Sequence, residues 1–236
     1  MTLIIPPLPS AWPYTPRPPR VDWERREDID LGSLGSGWNL MVPPDRVIPE
    51  SEERLSGAFG RGGIQRRGDL VLRPYRRGGL VRFLLRSGYA SPRRFEREWL
   101  VHRALWDSGF PTVRPSGYGY RRNGLAFEGV YLSDFQEGMP WPSDWSAGKP
   151  HLSSLVQAIR ALCDWGLWAP DLNATNVLLM SAGPVLLDWD RSAFVRGSDL
   201  RPLYQRRMLR SLARLDAPAA ISQAFTDGMQ TAGSHR

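Results

Sequence analysis

Two aspartates and an asparagine in the second half of the chain have the types and spacing to do chemistry. Asp171 and Asn176 stand five residues apart in Asp171-Leu172-Asn173-Ala174-Thr175-Asn176, and Asp188 follows in Leu186-Leu187-Asp188-Trp189-Asp190. Between them lie two apolar runs, Val177-Leu178-Leu179-Met180 and Val185-Leu186-Leu187, joined by Ser181-Ala182-Gly183-Pro184. Apolar runs flanking a Gly-Pro turn predict a β-hairpin. An antiparallel hairpin returns the end of its second strand to the start of its first, so two carboxylates and a carboxamide gather in one small space. All are oxygen donors, which suit a hard cation such as Mg²⁺. A carboxylate left free of the metal can orient a hydroxyl and accept its proton.

Other elements must position this set. Leu152, Leu155, Val156, Ile159, Leu162 and Cys163 recur at helical spacing, which predicts an amphipathic helix ending at Gly166 and leading straight into the loop. Far upstream, Gly57-Ala58-Phe59-Gly60-Arg61-Gly62-Gly63-Ile64 is either a plain hairpin turn or a loop whose backbone N–H groups approach phosphate oxygens. The short apolar strand Asp69-Leu70-Val71-Leu72-Arg73 follows and ends in a cation. The chain has a single lysine, Lys149; the cation on this strand is an arginine, Arg73, whose guanidinium can meet phosphate bidentately. Ser91-Pro92 opens a helix that runs to about Asp107 and stops at Ser108-Gly109. Phe95, Glu98, His102 and Leu105 share one of its faces. An acid on an apolar stripe needs a partner; Arg73 is the long-range choice, and Arg94 or Arg97 the local one. Arg76-Arg77-Gly78-Gly79 reads as a basic turn, either solvated or in contact with an anionic substrate or membrane surface. Phe127 to Leu132 reads as a strand before a hinge at Ser133 to Glu137. After Arg191 one main helix is expected over Leu203 to Leu215, with a frayed tail from Asp216.

The 236 residues suffice for one two-lobed domain or two small ones. A net charge of +7, carried almost wholly by arginine, favours anionic partners. No helix-turn-helix, zinc-finger or aromatic RNA-binding pattern accompanies it, so nucleic acid is not an expected partner. The lone Cys163 excludes an internal disulfide, and three scattered histidines argue against a zinc site. No signal peptide is evident at the start, and no apolar run reaches membrane-spanning length. Residues 1–50, rich in proline and charge, are expected to lie extended on the surface or partly disordered, with Trp12, Trp23 and Trp38 docking parts of them.

Five blocks together resemble the 3-deoxy-D-manno-octulosonic acid (Kdo) kinases of the lipopolysaccharide kinase group, within the protein-kinase-like superfamily. They are Gly60-Arg61-Gly62; Leu70-Val71-Leu72-Arg73-Pro74-Tyr75-Arg76-Arg77-Gly78-Gly79-Leu80-Val81; Phe95-Glu96-Arg97-Glu98-Trp99 with Gly109-Phe110-Pro111-Thr112-Val113-Arg114-Pro115; Asp171 to Leu179 with Leu187-Asp188-Trp189-Asp190-Arg191; and Leu209-Arg210-Ser211-Leu212. The resemblance implies an α+β, protein-kinase-like two-lobed fold: a small β-rich N-lobe at 51–135 and a short, mainly helical C-lobe at 136–236, after a proline-rich extension at 1–50. It implies ATP and Mg²⁺, and phosphorylation of a Kdo hydroxyl on the anionic glycolipid Kdo-lipid A. It places the enzyme in the cytoplasm, in peripheral contact with the inner membrane. By the same resemblance Asp171 is the catalytic base, Asn176 and Asp188 are metal ligands, Arg73 with Glu98 positions the nucleotide phosphates, and Gly60, Arg61 and Gly62 form the nucleotide loop. The family places a histidine two residues before the aspartate, where this chain has Ala169, and a phenylalanine where it has Trp189. A small-molecule phosphotransferase of the aminoglycoside or choline kinase kind, or a pseudokinase binding module, are the alternatives.

Overall fold

The computed structural model describes residues 6–10, 12–17, 23–54, 63–75 and 88–230. Gly60, Arg61 and Gly62, and the Arg76-Arg77-Gly78-Gly79 turn, lie outside the described residues. The chain divides into two compact units: Pro18–Arg103 with Val113–Gln136, and Met1–Arg17 with Ala104–Thr112 and Glu137–Arg236.

The first unit is built on a seven-stranded antiparallel sheet. Its strands are β1 (Glu24–Ile29), β2 (Trp38–Val42), β3 (Glu53–Arg54), β4 (Gln65–Arg67), β5 (Leu70–Pro74), β6 (Pro115–Asn123) and β7 (Ala126–Asp134), in the order β1-β2-β6-β7-β5-β4-β3. Successive side chains alternate between faces. One face buries Leu31, Trp38, Leu40, Val42, Leu70, Leu72, Val130 and Leu132. Tyr75, Tyr118 and Tyr131 pack instead with Phe95 and Trp99 from helix α1 (Arg93–Asp107). That helix starts where Ser91-Pro92 predicts, with Ser91 Oγ accepting from Arg93 N at 3.2 Å. It lies close to the sheet because β7 has a glycine beneath it: a Cβ on Gly129 would sit 2.3 Å from the Phe95 ring.

Two expectations change here. Residues 1–50 are not all surface extension, since β1 and β2 complete the sheet. The alternation Trp38, Leu40, Val42 marks an inward face, but prolines crowd both sides of this stretch and masked the strand pattern. The hinge expected at Ser133 to Glu137 begins later, because Ser133 and Asp134 still pair with Val71 and Leu70 of β5.

The second unit contains β8 (Met139–Pro140), α2 (Trp145–Gly148), α3 (Leu152–Asp164), β9 (Leu167–Trp168), β10 (Val177–Met180), β11 (Gly183–Leu186), β12 (Ala193–Phe194), α4 (Arg201–Arg214) and α5 (Ala219–Gln230). Helix α3 buries Leu155, Val156, Ile159 and Leu162, as its spacing predicts, and the chain leaves it through Gly166 at φ +70°. The tail expected to fray from Asp216 is instead helix α5. Its Ile221, Phe225 and Met229 are buried at four-residue spacing. Three apolar residues among alanines and polar side chains gave too thin a stripe to read.

The proline-rich residues 6–17 pack within this second unit. Trp12 lies among Tyr14, Phe110 and Trp165 and donates from Nε1 to Ser108 O at 2.7 Å. Arg17 N bonds Asp107 O at 2.8 Å, and its guanidinium covers the Trp106 ring at 3.6 Å. Gly109, at φ +85°, is required for this approach, because a Cβ there would lie 1.8 Å from Thr15 O.

Candidate active site

In the β-rich unit, Arg73 is the penultimate residue of β5 and Glu98 lies one turn beyond Phe95 on α1. The two form an ion pair through Arg73 Nη2 and Glu98 Oε1, and Tyr75 donates its hydroxyl to Glu98 Oε2. The local alternatives, Arg94 and Arg97, are not needed to explain Glu98. Its side chain is 1% exposed and that of Arg73 is 26% exposed, so the acid is sealed while the arginine side chain is partly exposed. Burial first, then the Glu98 charge, pushes the Tyr75 phenol well above its ordinary range, so Tyr75 remains a donor. His102, one turn further along α1, bonds Tyr131 Oη at 2.7 Å and Val113 O at 2.8 Å. Burial, aided by the Arg73 charge, pushes its imidazole down to about 3. A neutral ring then donates from Nε2 to the Val113 carbonyl and accepts from Tyr131 at Nδ1.

In the helical unit, the hairpin forms with the register Val177↔Leu186 and Met180↔Gly183, so the turn is Ser181-Ala182 and Pro184 lies in the edge strand β11. Leu187 N bonds Asn176 O at 2.9 Å, which sets Asn176 beside the residue that precedes Asp188. Asn176 Nδ2 donates to Asp171 O at 2.9 Å, and Asn173 Nδ2 donates to the same oxygen at 2.7 Å. Asn173 Oδ1 accepts from Thr175 N at 2.9 Å and caps the short turn that follows. The structure therefore links the Asp171 loop through Asn176 to the segment leading into Asp188. With Nδ2 engaged by the loop, the amide oxygen is the atom Asn176 has to offer a cation, and Asp188 offers a carboxylate. Both are hard oxygen donors suited to Mg²⁺. Among the described residues no group of three or more His, Cys, Asp or Glu side chains could hold a metal ion; a set that includes an asparagine amide falls outside that composition.

Several neighbours of this cluster carried no signal of their own. Arg191, at φ +60°, donates from Nε to Asp171 Oδ2 at 2.9 Å and from Nη2 to Oδ1. Arg207 Nη2 approaches Asp171 Oδ1 at 3.6 Å. Burial lowers the Arg207 pKa; Asp171 opposes that shift, and Arg191, Arg210 and Arg214 add to it. Asp188 takes a left-handed backbone, φ +67°. The next residue, Trp189, is buried against Phe110 and donates from Nε1 to Thr112 Oγ1 at 2.9 Å, while Thr112 Oγ1 donates to Leu186 O at 2.9 Å. Trp189 thus makes a polar bond that phenylalanine could not.

A strand cation bonded to a helix glutamate in the β-rich unit, and an Asp-x4-Asn loop running into an Asp-ended hairpin in the mainly helical unit, are the features expected of a protein-kinase-like phosphotransferase. The family model described as the lipopolysaccharide kinase (Kdo/WaaP) family matches residues 40–227. The 3-deoxy-D-manno-octulosonic acid kinase of Xylella fastidiosa (strain M23) is 30% identical over 216 residues, which cover 87% of this chain and 84% of that protein. The protein of the same name from Stenotrophomonas maltophilia (strain R551-3) is 29% identical over 190 residues, 75% of this chain and 76% of its own. The solved structure described as WaaP in complex with acyl carrier protein aligns with a TM-score of 0.45 at 18% identity, over 76% of this chain and 78% of that one. The chain belongs to the lipopolysaccharide kinase (Kdo/WaaP) family. It is an ATP-dependent kinase whose acceptor is a sugar hydroxyl, and the relatives do not favour an aminoglycoside or choline kinase reading. No helix among the described residues is long and apolar enough to cross a membrane.

Proposed function

We propose that the acceptor is Kdo of the lipopolysaccharide inner core, carried on lipid A, and that the reaction moves the γ-phosphoryl group of ATP onto one of its hydroxyls. The supporting observation is the bonded chain Asp171–Asn176–Leu187 next to Asp188, in a protein whose relatives are named for that reaction. Asp171 orients the acceptor hydroxyl and takes its proton as the oxygen attacks phosphorus. Asn176 and Asp188 hold Mg²⁺, which when bound neutralises charge on the nucleotide phosphates. Arg73, fixed by Glu98, aligns those phosphates, and Gly60, Arg61 and Gly62 form the loop over them. On this reading the unit built on the seven-stranded sheet, which adds β1 and β2 to 51–135, is the nucleotide lobe, and the mainly helical unit is the catalytic lobe.

Arg191 grips the Asp171 carboxylate while its side chain is 57% exposed. An incoming sugar acid gives that guanidinium a second anion to bind, which frees Asp171 to face the hydroxyl. We further propose that the enzyme acts in the cytoplasm, at the inner-membrane face. The arginine-borne net charge of +7 supports this. Failure to sediment with anionic phospholipid vesicles at low salt would count against it.

The test of the reaction is Asp171→Asn assayed with Kdo-lipid A. The rate should fall about 10²-fold or more, the span of a lost general base, while titration calorimetry gives an Mg-ATP affinity close to wild type. Undiminished transfer by the variant would remove Asp171 from its role.

A further inference from the structure

Ala169 and Ala174 bracket Asp171, are fully buried, and carry methyl groups that cannot accept a hydrogen bond. A buried N–H without a partner costs free energy comparable to a lost hydrogen bond, so their acceptors have to come from another element. Helix α4 supplies both. The Tyr204 hydroxyl accepts from Ala169 N at 2.8 Å and donates to Leu167 O at 2.7 Å. Ser211 Oγ accepts from Ala174 N at 3.2 Å. Between them Arg207 Nε donates to Leu172 O at 2.9 Å. Residues 204, 207 and 211, spaced three and four apart, lie on one helical face. Tyr204 is 2% exposed, and burial pushes its phenol well above the ordinary range, so its proton is present at every working pH. The anchored backbone groups are Leu167 O, Ala169 N, Leu172 O and Ala174 N. Asp171 sits inside that ladder.

We propose that α4 is the rigid splint of the catalytic loop, with Tyr204 as its principal positioning residue and Arg207 and Ser211 as secondary ones. The splint sets the Asp171 carboxylate without touching substrate; the proposal rests on the reading of Asp171 as base. Asn173 and Asn176 bond the Asp171 carbonyl from within the loop, but Ala169 has no side-chain donor or acceptor, so the flanks of the loop take their anchorage from α4. Displacing a reacting group by about 1 Å can cost on the order of 10²-fold in rate, so loss of the splint appears in kcat.

The experiment uses the full chain carrying Tyr204→Phe, which keeps the ring and removes both bonds. Three quantities are measured well below the unfolding temperature: kcat with Kdo-lipid A, Mg-ATP affinity, and amide hydrogen exchange without substrate. The expected result is a kcat lower by about 10- to 100-fold, an Mg-ATP affinity within about threefold, and faster exchange across 167–174, with the amides of α3 unchanged. Ser211→Ala should lower kcat less, and the double variant should fall short of the product of the two, because both changes loosen one unit. If Tyr204→Phe does not fold, Ser211→Ala and Arg207→Lys are read in the same way. A kcat within twofold of wild type, or a loss that only follows the unfolded fraction, overturns the inference. A wild-type chain inactive on the Kdo acceptor, or a fully active Asp171→Asn, counts instead against the catalytic reading; the exchange measurement, made without substrate, still decides whether α4 holds the loop.

Discussion

The Arg73–Glu98 pair and the Asp171 loop are held by opposite means. Arg73 and Glu98 meet because a regular strand and a regular helix bring them together, and Glu98 is buried to 1% exposure. Asp171, with a side chain 23% exposed and gripped by the half-exposed Arg191, owes its place to hydrogen bonds on the backbone around it. One unit seals a charge in the core, where an unmatched carboxylate or guanidinium is costly. The other keeps its charges near water and invests its burial in neutral groups. Stability and chemistry are therefore coupled in the β-rich unit and separable at the loop.

That contrast can be broken experimentally. Glu98→Ala should have the largest effect on folding, because it leaves Arg73 and the Tyr75 hydroxyl facing each other without their acceptor. Removal of one member of a buried pair costs about 3 kcal/mol or more. Urea unfolding would show it, and a loss under about 1 kcal/mol would mean that the pair is solvated. Next is the pH response of the same unit. Below pH 6.5 the unfolded chain protonates His102, while the folded chain does so only near pH 3. Stability is then complete above pH 6.5 and falls as pH drops through the window to about 3, by up to about 1.4 kcal/mol per pH unit. His102→Gln should flatten that slope; an unchanged profile would assign it to other groups. The smallest stability effect belongs to the loop. Arg191→Ala should move unfolding by no more than about 0.5 kcal/mol, the range of exposed pairs, while raising KM for the Kdo acceptor. A large stability loss there would erase the distinction between the pair and the loop.

What could be read in the sequence follows the same division. The Arg73–Glu98 pair was legible because strand ends and helix faces are periodic: Leu70 and Leu72 mark one side of β5, and Phe95, His102 and Leu105 mark the face that carries Glu98. The hairpin and α3 were legible for the same reason. Tyr204, Ser211 and Thr112 were not. Their partners lie 35, 37 and 77 residues away, and a tyrosine or serine on a helix face does not reveal whose backbone it will meet. Asn176 beside the strand end was inferable from the antiparallel return, whereas Arg191 on Asp171 depended on a left-handed turn at Arg191 itself.

The docking of the proline-rich segment has a consequence for the order of synthesis. Trp165 Nε1 donates to Pro7 O at 3.1 Å, a contact between residues 158 positions apart. At about 5–20 residues per second, Pro7 is made roughly 10–30 s before its partner exists. For about the first two thirds of that interval Trp12 has neither Phe110 nor Trp165 to rest against, and afterwards it still lacks Trp165, so an aromatic, proline-studded ribbon waits without its partners. A holdase that favours such ribbons would meet this segment well before the loop at Asp171 is translated.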